Sequence, residues 1–152
     1  LLNTVWKSYS EDDKFPASGG DYSEENAKDD APGKFDVSDS AVLESTLAVP
    51  EDSADLLKKA ASLTHMMNLN TFTCGAFHAA NAEDVSSIVE DIHAEISGKH
   101  WMCGFPDKML IATSGNLIVS VYGDEELVNT FRDKLLAVDS SFTAAYDEAI
   151  DA

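Results

Sequence analysis

The chain has 152 residues, of which 44% are apolar, enough for one domain with its own core. Its 28 acidic and 10 basic residues leave a net charge of −18. Such a surface repels phosphate backbones and anionic lipid heads, so nucleic acid is excluded as a partner. No run of about 18 apolar residues is present to cross a bilayer. Membrane contact is expected only through a lipid anchor upstream. The chain opens on Leu1-Leu2-Asn3 without an initiator Met, which leads to an expectation of processing ahead of Leu1.

In chain order, Leu1, Leu2, Val5, Trp6 and Tyr9 share one helical face, which predicts a short helix over residues 1–9. Residues 10–34 are polar, acidic and rich in turn-formers, and predict a long loop closing on Pro32-Gly33. Phe35 to Leu47 reads as a short helical segment broken at Val49-Pro50. Ser53 then offers a cap for a second helix, with Leu56, Leu57, Ala60, Leu63, Thr64 and Met67 at helical spacing.

The second half carries stronger signals, and residues 71–138 predict a β-α-β-β-α core. Thr71 to Ala79 is rich in β-branched and aromatic residues and predicts a strand. Asn81 stands at a cap position before Val85, Ile88, Val89, Ile92 and Ile96, a stripe spaced for one helix face, and Gly98 ends it. Lys108–Thr113 and Leu117–Tyr122 predict two strands joined by a hairpin turn at Ser114-Gly115-Asn116. The near-continuous apolar run from Leu117 to Val121 predicts a central strand covered on both faces. Asp124 precedes a helix with Leu127, Val128, Phe131, Leu135 and Leu136 on its buried face, and Ser140 or Ser141 opens a last short helix with Phe142, Ala145, Tyr146 and Ile150. The fold class expected is α+β: a small, largely antiparallel sheet backed by helices. A split βαβ, with the third strand inserted between the first two, is one economical arrangement.

Residues 71–136 also carry a resemblance. The features are Asn81-Ala82-Glu83-Asp84-Val85 after a strand, the block Lys99-His100-Trp101-Met102-Cys103, and Ser114-Gly115-Asn116-Leu117-Ile118-Val119. With Trp6-Lys7-Ser8-Tyr9 ahead of Phe15-Pro16, the chain resembles a family of small secreted lipoproteins of Gram-positive gut anaerobes. That resemblance implies an exported, membrane-tethered protein. Some relatives bear names implying a thioredoxin-like activity. This chain lacks the paired active-site cysteines, and the activity is not carried over.

The two cysteines, Cys74 and Cys103, form no C-x-x-C pair. An exported protein allows one disulfide between them. Two buried thiols are the alternative, and the strand order decides. His65, His78, His93 and His100 show no recurrent ligand spacing, although with Met66, Met67, Met102 and the cysteines they make a soft donor set suited to copper. Cys74 and His78 share a strand face but lie about 13 Å apart along it, too far to ligate one ion. The acidic residues Glu11, Asp12, Asp13, Asp21, Glu24, Glu25, Asp29 and Asp30 have the oxygen density calcium favours, without the spacing of a calcium loop. A solvated loop is the expectation there, and no metal or cofactor is expected. Trp101 and Phe105, outside regular elements, either face a partner or close the end of the core.

No nucleophile elbow, Ser-x-x-Lys, phosphate loop or H-E-x-x-H is present, so no catalytic residue is assigned. The expected function is a non-catalytic extracytoplasmic binding or interaction module for a protein or small-molecule ligand. A metal-handling protein and an enzyme of unrecognised type are the alternatives.

Overall fold

A computed structural model describes residues 2–10, 14–15, 17–20, 28–29, 31–35, 37, 43–44, 47–65, 71–98 and 106–149. Among these, helices are α1 (Leu2–Lys7), α2 (Glu51–Ala54), α3 (Val85–Gly98) and α4 (Glu125–Val138). Strands are β1 (Ala17–Gly19), β2 (Lys28–Asp29), β3 (Gly33–Phe35), β4 (Leu57–His65), β5 (Phe72–Ala79), β6 (Lys108–Ser114), β7 (Leu117–Gly123) and β8 (Thr143–Ala149). They form one sheet in the order β2-β1-β4-β5-β7-β6-β8, with β3 also paired to β4, and every pairing is antiparallel. The fold is α+β.

Two crossovers interlock at the centre of this sheet. Strand β7 lies between β5 and β6, so β5-α3-β6 is a split βαβ unit, as the sequence predicts. Strand β6 in turn lies between β7 and β8, so β7-α4-β8 is a second one. The two units step in the same direction across the sheet from strands that run oppositely. If both crossovers share one hand, their helices must lie on opposite faces. They do. Ile88, Val89, Ile92 and Ile96 of α3 pack with Phe77, Met109, Ile111 and Ile118 on one face. Val128, Phe131 and Leu135 of α4, with Leu2, Val5 and Trp6 of α1, pack with Phe72, Cys74, Leu110 and Val121 on the other. This double covering is why β7 reads as continuous apolar sequence: Ile118 to Gly123 is buried throughout.

Turns and close approaches hold the register. Ser114 pairs with Leu117, leaving Gly115 and Asn116 as a two-residue turn in which Gly115 has φ +60°, a conformation that costs glycine nothing. At Gly123, with φ +155°, a Cβ would lie 2.2 Å from the Thr71 carbonyl oxygen. Asn81 and Asp124 stand at the N-terminal positions predicted for them, but neither side chain caps its helix. Asp107, from the segment before β6, accepts the Glu125 N–H at 3.1 Å instead.

Three expectations are corrected. Residues 57–65 form strand β4 rather than a helix. A bulge between Leu57 and Lys59 brings Leu57 and Ala60 to the α3 face, while Leu63 points to the other, and that combination imitates helical spacing. Residues 143–149 form edge strand β8 rather than a last helix. Within the predicted loop 10–34, β1 and β2 and the first residues of β3 are strands, and β3 runs on to Phe35, where a helical segment was expected. Leu43, Glu44 and Leu47 do lie in helical turns, and the chain leaves them through Ala48 at φ 59° before Pro50.

Candidate functional site

Side chains directly opposite in antiparallel strands point to the same face. On the face carrying α1 and α4, the register therefore makes rows. One row runs Lys34, Ala61, Ala76, Val119 across β3, β4, β5 and β7. The next runs Lys59, His78, Leu117 across β4, β5 and β7. The row beyond, with Leu63, Cys74 and Val121, is buried in the core beneath α1 and α4.

The first two rows are not fully covered. Ala61, Ala76, His78 and Leu117 are half-buried, and Lys34 and Lys59 are exposed. A groove of about 550 Å³ lies here, lined by these side chains together with Phe35, Val37 and Lys58 and the strands beneath them. Its lining is mostly apolar because two of the four positions in the first row are alanine. Larger residues there would fill the space.

The rim is cationic in an anionic protein. Lys34, Lys58 and Lys59 are three of the chain's 10 basic residues. Among the described residues none of the three has an ion-pair partner. Lys108 and Arg132, by contrast, both pair with Asp147, at 2.5 and 3.0 Å, and Arg132 also with Asp133 at 3.3 Å. An uncompensated cation beside an apolar concavity is the arrangement that orients a ligand in a pocket.

A second cluster joins α3 to β8. Tyr146 stacks on His93 and its hydroxyl donates to Glu90 Oε1 at 2.7 Å. Glu148 Oε1 meets His93 Nε2 at 2.6 Å. The hydrogen bond to Glu90 raises the Tyr146 phenol above its ordinary pKa. His93 and Tyr146 are half-buried and Glu90 and Glu148 exposed, and together the four groups fasten edge strand β8 to α3.

Cys74 is a fully buried free thiol whose pKa is pushed up by burial, the opposite of what a nucleophile or metal ligand needs. Cys103, to which a disulfide was one of the two expectations, lies outside the described residues, as do Trp101, Phe105 and His100. So do Met66, Met67 and Met102, and Glu11, Asp12, Asp13, Asp21, Glu24, Glu25 and Asp30 of the acidic segment. His65 stacks against Phe15 with ring centroids 5.7 Å apart. Among the described residues no three His, Cys, Asp or Glu side chains converge to hold a metal ion, and no helix is long and apolar enough to cross a membrane. Of the groove residues, sequence reasoning singled out only His78, and as a metal donor. The signals in reach were the Lys58-Lys59 pair in an acidic chain and the alanines Ala60, Ala61 and Ala76 within strands of larger side chains.

Comparison with known protein families, with curated proteins and with solved structures finds no match to this chain.

Proposed function

We propose that this protein is a binding module and that the groove across β3, β4, β5 and β7 is where it binds. The observation that carries this reading is an apolar concavity of about 550 Å³ built on a rigid sheet and rimmed by lysines without partners among the described residues. Small-molecule pockets typically measure about 300–1,000 Å³ and combine apolar walls with a few orienting polar groups.

The reading includes a location outside the cytoplasm, with tethering through an upstream lipid anchor. The strong acidity and the resemblance to secreted lipoproteins support it. Fractionation of the producing cells tests that part, and recovery in the cytosol alone would contradict it.

Binding is tested with N-phenyl-1-naphthylamine, a neutral fluorophore that brightens in apolar surroundings. One molecule should bind per chain. Ala61→Leu and Ala76→Leu fill the groove floor and should each weaken binding by about tenfold or more, equivalent to about 1.4 kcal/mol. Circular dichroism of both variants shows whether the sheet is retained. Unchanged binding in folded variants, or no binding to the parent, would overturn the reading.

A further inference from the structure

Resting on that reading, we infer that the groove's ligand is a free single-chain amphiphile with an anionic head, such as a medium-chain carboxylate. The groove has two chemically different ends. Its cations sit on β3 and β4, at Lys34, Lys58 and Lys59. Its other end, on β7, presents half-buried Leu117 beside the buried Val119 and carries no charge, with His78 of β5 between Leu117 and Lys59. Between them lie Ala61 and Ala76, the low point of the floor.

From β3 to β7 the groove crosses three strand spacings, about 14 Å at about 4.8 Å each. A ligand matching this surface is charged at one end, apolar along its length, and of that reach. An evenly apolar molecule leaves the lysines unused. An evenly charged one cannot use the floor.

Charge argues for the sign of the head and for its source. The protein as a whole carries −18, so an anion approaches it against the overall field. Retaining three lysines, unneutralised among the described residues, at one rim makes that rim a local exception. The same overall field disfavours docking to an anionic bilayer, where many like charges face the protein together. The ligand therefore arrives as a dispersed monomer. The head is held as a point charge by lysine ammonium groups, and the tail lies across β5 toward Leu117.

Competition for bound N-phenyl-1-naphthylamine tests this with decanoate, 1-decanol and decyltrimethylammonium, which share a tail and differ in head charge. On the parent protein decanoate should displace the fluorophore at a concentration about tenfold below that of decanol, and the cation should be the weakest. In the Lys34→Gln/Lys59→Gln variant decanoate should lose that advantage over decanol, both displacements being referred to the fluorophore's own affinity for the variant. Equal displacement by decanoate and decanol, or an advantage that survives in the variant, would overturn the anionic ligand and leave the groove itself standing. Failure of the fluorophore to bind the parent would remove the groove reading, and this inference with it. Co-sedimentation with phosphatidylglycerol vesicles, abolished in the variant, would overturn the free monomer in favour of a lipid surface.

Discussion

The Tyr146 ring lies on the imidazole of His93, with centroids 3.8 Å apart and planes 16° from parallel. Strand β8 is almost wholly exposed, and this contact, with the His93–Glu148 pair at 2.6 Å, fastens its α3 side. Edge strands held by backbone pairing alone fray readily. Tyr146→Ala should therefore cost about 1–2 kcal/mol of stability and raise hydrogen exchange across Thr143–Ala149. Exchange in β8 no faster than in the parent would show that pairing with β6 suffices.

Asp147, on the other side of β8, faces Lys108 and Arg132. Partial burial raises its carboxyl pKa, but the hydrogen bonds and charges of those two cations outweigh this and hold it below the ordinary value. The native chain then takes up this proton less readily than the unfolded one. The stabilisation is complete above the unfolded-state pKa of about 4 and is lost as pH falls through the lower native value. Asp147→Asn should lower the urea midpoint at neutral pH, and the gap to the parent should close as pH falls through the lowered native pKa. A gap of equal size at both pH values would place the effect in packing rather than charge.

Ile92 is fully buried between α3 and the sheet. Ile92→Asp places an unpaired charge there and should destabilise the fold by about 4 kcal/mol or more, or prevent folding. Equal denaturation midpoints for variant and parent would remove α3 from the core.

The sequence is most legible where one face, or both faces, of an element are apolar without interruption. The α3 stripe and the β6–β7 hairpin are of this kind, and together they imply the split βαβ. Strand β4 is illegible for a specific reason. Its bulge moves Leu57 and Ala60 into one core while Leu63 enters the other, and neither period survives. In β8 a bulge opposite Ile111 and Ala112 breaks the alternation: Phe142 enters the α4-side core, Tyr146 packs on α3, and the residues between are exposed. Their spacing then looks helical. The groove is less legible still, because it depends on register. Lys34 stands beside Ala61 and Ala76 only through two strand pairings distant in sequence.

The most direct test of the groove as the binding surface is a titration of nitrogen-15-labelled protein with decanoate, followed through backbone amide shifts. The shifts should concentrate at Lys34, at Lys58 to Ala61, at Ala76 to His78 and at Leu117 to Val119, with α3 and β8 unmoved. An unperturbed spectrum, or shifts gathered on α3 and β8 instead, would contradict the account.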